Sequence, residues 1–175
     1  GELPRPEFSR FLIDKFTLGD FLGPNNNLRE KSDLALRILD LCEDVPYNVQ
    51  FLAHSLWNQL SQIQTTSPEK AILTSELIEE TLEKIVRQTD PFYTQLWNSF
   101  TSIQKKSLIA SALEDGKNLQ SQRVTTNFQV SASSMRKSLS ALVSQDVLRQ
   151  AEDKGNVKFR FEDPFFKHWI NMFTF

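Results

Sequence analysis

The sequence predicts a mainly α-helical protein: a small four-helix bundle, then a unit of three helices closed by one β-hairpin. Three observations carry this. Apolar residues recur at helical spacing from Phe8 to Ile85, between short breaks. The run Val157-Lys158-Phe159-Arg160-Phe161-Glu162 alternates apolar with charged residues, as a one-faced strand does. Between them, Asp90-Pro91 marks a change in charge: residues 1–90 hold 9 Lys+Arg against 15 Asp+Glu, a balance of −6, whereas residues 91–175 hold 11 against 7, a balance of +4. The expected domains are therefore 1–89 and 90–175.

In the first domain Phe8, Phe11, Leu12 and Phe16 form one helix, ended by the glycine- and asparagine-rich stretch 19–27. A second helix over about 29–43 carries Leu34, Ile38 and Leu41 on one face. Pro46 lacks an amide hydrogen and has a fixed φ, so it suits the first turn of a third helix, with Asp44 or Val45 at the cap. Val49, Ala53, Leu56, Leu60 and Ile63 line that helix, with Leu52 and Trp57 beside them. After a loop over 65–70, Thr74 or Ser75 caps a fourth helix bearing Ile78, Leu82 and Ile85. Early Glu76, Glu79 and Glu80 suit its dipole.

In the second domain Phe92, Leu96 and Phe100 share a helix face, and Thr101-Ser102-Ile103-Gln104 is a capping box opening a helix with Leu108, Ala112 and Leu113 inward. A short helix follows from Ser121. Ser131 then caps a longer one with Met135, Leu139, Leu142 and Val143 at core spacing. Strands over 147–150 and 157–162 are joined by Asp153-Lys154-Gly155-Asn156, where Gly155-Asn156 supplies positive φ. Three helices and a hairpin in this order make a winged helix, a variant of helix-turn-helix.

Composition narrows the function classes. A 39% hydrophobic content with 14 Phe and 3 Trp can build a core. The apolar runs are too short to span a bilayer, and residues 1–10 lack a signal-peptide layout, so the expected location is cytoplasmic. The single cysteine, Cys42, excludes an internal disulfide and reads as a core residue. His54 and His168 have no second ligand at i+3 or i+4, so no metal is expected. The five glycines open no Gly-x-x-x-x-Gly-Lys-Ser/Thr loop, and no Gly-x-Ser-x-Gly elbow occurs. No catalytic residue is nominated, and the chain is expected not to be an enzyme.

Two segments carry a resemblance. Leu41 to Gln59 reads LCEDVPYNVQFLAHSLWNQ, a Pro-Tyr-x-x-Gln helix start followed by Leu-Trp; about a hundred residues later the hairpin closes on Asp163-Pro164-Phe165-Phe166-Lys167-His168-Trp169. Together these resemble the helical lid and winged helix behind the core of archaeal-type P-loop ATPases of the AAA+/STAND class, over roughly residues 3–173. The resemblance implies a regulatory or interaction module of such an ATPase, with ATP and Mg²⁺ held by a core outside this chain and protein partners besides. It also implies that Pro46 and Tyr47 lie near that nucleotide, since a Gly-x-Pro opens the lid helix in this class. Here Asp44 takes the glycine position beside Glu43, and two carboxylates repel phosphate. The alternative is that Pro46 only starts a structural helix.

A competing function is DNA binding. The helix from Ser131 stands where a winged helix keeps its recognition helix, with Ser133, Ser134, Arg136, Lys137 and Ser140 outward and Arg149, Lys154, Lys158 and Arg160 on the wing. Arg136, Lys137, Lys158 and Arg160 are the expected phosphate contacts. With two basic residues on that helix, the regulatory role is the first expectation and DNA binding the alternative, as in origin-recognition ATPases of this layout. The aromatic helix from Pro164, with Phe166, Trp169, Ile170 and Phe173 in one stripe, is expected to seal the core rather than dock on a membrane.

Overall fold

A computed structural model describes residues 4–24 and 26–174. Leu3, where the resemblance begins, Asn25 in the first loop and Phe175 lie outside the described residues. The chain forms two compact units, 1–85 and 86–175. The division falls in the last turn of a helix, a little before the expected boundary after residue 89.

The first unit contains α1 (Arg5–Leu18), α2 (Leu28–Leu41), α3 (Pro46–Thr66), a 3₁₀ turn (Pro68–Lys70) and most of α4 (Ser75–Gln88). A capping box starts α2: Asn27 Oδ1 accepts from the Glu30 amide at 2.9 Å, and Glu30 Oε2 accepts from the Asn27 amide at 3.1 Å. Thr74 Oγ1 accepts from the Leu77 amide at 3.1 Å at the head of α4. The core joins Leu12 and Phe16 of α1, Ile38 and Leu39 of α2, Val49, Leu52, Leu56 and Leu60 of α3, and Ile78 and Leu82 of α4, all buried. Phe11 is exposed, with Lys15 Nζ 5.5 Å from its ring. Phe21 stands edge-on to Trp57 with centroids 4.9 Å apart, and its carbonyl accepts from the Leu73 amide at 2.7 Å, so the first loop is tied to the segment before α4. Cys42 is fully buried.

The second unit contains α5 (Asp90–Asn98), α6 (Ser102–Leu113), α7 (Gln122–Phe128), α8 (Ala132–Ser144), an antiparallel hairpin of β1 (Leu148–Asp153) and β2 (Asn156–Phe161), and α9 (Pro164–Phe173). Side-chain oxygens cap four of these helices. Thr101 and Gln104 form the expected capping box, Ser121 and Ser131 accept from amides three residues on, and Asp163 Oδ1 accepts from the Phe165 amide at 3.0 Å. Leu108, Val124, Met135, Leu139, Leu142, Leu148, Phe161, Phe166, Trp169 and Ile170 make the core. Phe166, Trp169 and Ile170 are buried, in agreement with the sealing role expected for α9, whereas Phe173, expected in the same stripe, is exposed at its end. Between α6 and α8, Ser107 Oγ donates to Ser138 Oγ at 2.8 Å, so two buried hydroxyls satisfy each other where the helices meet.

Several expectations change here. Tyr93 rather than Phe92 faces the core of α5: Tyr93 is 3% exposed and Phe92 61%. Leu113, expected inward, is exposed at the end of α6. The hairpin turn is Lys154-Gly155, with φ of 52° and 80°, one residue before the expected Gly155-Asn156. Two consecutive positive φ values match a type I′ turn, whose twist suits paired strands. Val157 is exposed because the hairpin tip extends beyond the helices it packs on.

The wing has a third backbone partner. The Phe159 amide donates to the Gly116 carbonyl at 3.0 Å, so the turn after α6 is tied to the edge of β2. Gly116 has φ of +72°, and a Cβ there would stand 1.8 Å from the Phe159 carbonyl oxygen. Glycine is required at this contact.

Candidate nucleic-acid interface

The surface that a winged helix offers to a duplex is built here from α8, the turn before α7 and the hairpin. Gln129 ends α7 in a left-handed conformation, φ +53°, and Ser131 restarts the chain as the cap of α8, its Oγ 3.1 Å from the Ser134 amide. Met135, Ser138, Leu139 and Leu142 then face inward. Ser133, Arg136, Lys137 and Ser140 fall on the opposite, exposed side at i, i+3, i+4 and i+7. Burial of one stripe thus leaves both basic residues of the helix in solvent.

Beside α8 lies a groove of about 350 Å³, lined by Asn118, Gln120, Arg136, Ser140, Gln150 and Asn156 over Phe159. Its polar groups are amides, a hydroxyl and one guanidinium, all able to hydrogen-bond base edges or phosphates. Arg136 Nε donates to Gln120 Oε1 at 3.2 Å. That contact spans sixteen residues, across α7, and no local pattern in the sequence announces it.

The wing contributes less charge than its composition promises. Lys158, expected on the phosphate surface, is 8% exposed and its Nζ lies 2.7 Å from Asp115 Oδ2; Lys167 reaches the same carboxylate at 3.3 Å. The reason is the Gly116–Phe159 hydrogen bond, which holds the turn after α6 beside β2 and brings Asp115 within reach of the lysine. Lys158 therefore leaves the set of phosphate contacts. Burial alone would push the Asp115 carboxyl up, but the Lys158 hydrogen bond, with the charges of Lys167 and Lys158, outweighs it and holds Asp115 below its ordinary value. Arg160 is half-buried and paired in register with Arg149 on β1. Lys117 bonds Asp153 at 2.5 Å, and Arg123 forms a two-pronged pair with Glu114. Lys154, at the turn, remains exposed.

The other candidate region lies in the first unit. Glu43 and Asp44 both adopt left-handed backbone, φ 46° and 59°, before Val45 caps α3 and Pro46 opens it. Asp44 thus takes a conformation that glycine adopts most easily. Its side chain is mostly buried and accepts from Arg5 Nε at 2.8 Å, so part of its charge is neutralised. Tyr47 is 70% exposed and packs on Phe51, ring centroids 6.0 Å apart; Pro46 is half-buried.

Among the described residues no group of three or more His, Cys, Asp or Glu is placed to hold a metal ion, and no helix is long and apolar enough to cross a membrane.

The helix order, the caps and the wing make the second unit a winged-helix domain. In agreement, residues 91–172 match the model of a family described as "Probable winged helix domain". No curated protein and no solved structure matches the chain.

Proposed function

We propose that the second unit binds duplex DNA, weakly and mainly through the backbone. What supports this is the exposed pair Arg136 and Lys137 on α8, beside a groove of hydrogen-bonding side chains and a wing tip carrying Lys154. The cations are few because Lys158, Lys117 and Arg123 are held by carboxylates, so affinity should be low and salt-sensitive. Two or three neutralised phosphates give a log–log salt slope of about −2 to −3. Fluorescence anisotropy of the chain with a random-sequence duplex tests it. Binding at low salt with such a slope is expected; a chain that leaves the duplex free at low salt would rule the function out.

A second reading is favoured by one observation in the first unit. Asp44 holds the left-handed backbone that a Gly-x-Pro lid turn would need, ahead of a helix opened by Pro46. On that reading the chain is a regulatory lid and winged helix of a P-loop ATPase, with ATP and Mg²⁺ in a core beyond these residues. Pro46 and exposed Tyr47 would then face that core. The lid alone lacks phosphate-wrapping glycines, so calorimetry with Mg²⁺ and ATP should give no saturable heat. Micromolar binding by these 175 residues would overturn the lid assignment.

A further inference from the structure

We propose that Arg136 reads a guanine in the major groove and that Gln120 is the positioning residue that aims it. The inference rests on the DNA-binding function above and deepens it by naming the base recognised. The Arg136 Nε–H is taken by Gln120 Oε1 at 3.2 Å. This bond fixes the guanidinium plane and presents the two Nη groups, the pair of donors that matches O6 and N7 of guanine. A phosphate contact requires no such orientation, and Lys137, one residue on, is a point charge on a flexible stem suited to that role.

The surroundings fit a base contact. Arg136 is the fifth residue of α8, in the N-terminal half that enters the groove in helix-turn-helix docking. The residues that precede it on the exposed side, Ser131, Ala132 and Ser133, are all small, so no bulky side chain at the helix start holds Arg136 away from base edges. Gln120 belongs to the turn before α7, so it steadies the guanidinium from outside the recognition helix.

The experiment is selection of bound duplexes by the full chain from a randomised pool at low salt, with variants whose folding is checked by thermal melts. The wild type should enrich guanine at one position about tenfold. Arg136→Lys keeps the charge and should lose that preference while still binding. Gln120→Ala should blunt it, and Gln120→Glu, which keeps the acceptor, should retain it. Lys137→Ala should lower affinity on all sequences and leave the preference intact. Bound duplexes without a guanine preference, or a preference that survives Arg136→Lys, would overturn the base contact and leave DNA binding standing. Failure of the wild type to retain any duplex would overturn both.

Discussion

Tyr93 Oη donates to Asp163 Oδ2 at 2.6 Å, joining the first helix of the second unit to the cap of its last. Asp163 Oδ1 meanwhile accepts from the Phe165 amide. One carboxylate therefore starts α9 and anchors it to α5, while Trp169 Nε1 donates to Asp90 Oδ1 at 2.7 Å one turn further along the same two helices. The Asp-Pro-Phe-Phe-x-x-Trp run is thus explained by packing: a cap, a helix-starting proline, two buried rings and an indole with a partner for its N–H.

Removing this hydroxyl should be felt through the charge it serves. Tyr93→Phe is expected to cost about 1–2 kcal/mol, since the bond is to an ionised group and Tyr93 is buried. Asp163→Ala should cost more, because it also removes the cap. A double-mutant cycle read by chemical denaturation should return a coupling of about 1 kcal/mol or more; additive losses would mean the bond contributes nothing net.

Gly116→Ala should be among the most damaging small substitutions in the second unit. The position combines positive φ with backbone contact on Phe159, so the added methyl meets a carbonyl that cannot rotate away. We expect a loss of at least about 2 kcal/mol. Gly155→Ala, at positive φ but in open space, should cost less. Equal melting temperatures for the two variants would show that the sheet yields at Gly116.

Lys137, Lys154 and Lys158 should separate by role. Lys137→Ala and Lys154→Ala should each flatten the salt dependence of duplex binding by about 0.9, the value for one phosphate. Lys158→Met should leave the slope unchanged and lower stability instead, by about 1 kcal/mol, discounted because the Asp115 side chain is half in water. The Asp115 carboxyl is held below its ordinary value, so the stability it contributes is complete above its unfolded pKa, about 3.9, and is lost as pH falls through the lower folded value. The Lys158→Met deficit in melting temperature should therefore be full at neutral pH and shrink below about pH 4. A deficit independent of pH would place its origin in packing of the lysine stem.

The sequence made the helices legible where signals are local. The Thr101–Gln104 box, the Ser131 cap and the apolar stripe of α8 involve partners three or four residues apart. What stayed hidden depends on distant chain segments. Lys158 alternates as a solvent-facing strand residue, and only the turn at Asp115-Gly116, some forty residues earlier, makes it buried. Gln120 reaches Arg136 across a whole helix. The exchange of Phe92 for Tyr93 has a similar cause: the hydroxyl of Tyr93 has the half-buried Asp163 carboxylate to meet, seventy residues away, which periodicity within α5 cannot reveal.

The hairpin register supplies a final prediction. Leu148 pairs with Phe161, and both side chains are buried, so they set which face of the wing meets the helices. Phe161 lies 6.1 Å from the ring of Phe166 at 71°, an edge-on contact that joins the wing to α9. Phe161→Ala removes that contact and leaves a cavity, and should destabilise the second unit by about 3–5 kcal/mol. Phe161→Leu, which fills most of the space, should cost much less than Phe161→Ala. Val157, on the same strand but exposed beyond the core, serves as the control: Val157→Thr should change the melting temperature little. A tolerant Phe161 beside a sensitive Arg160, its neighbour on the other face of the strand, would mean the strand is slipped by one residue and the opposite face is packed.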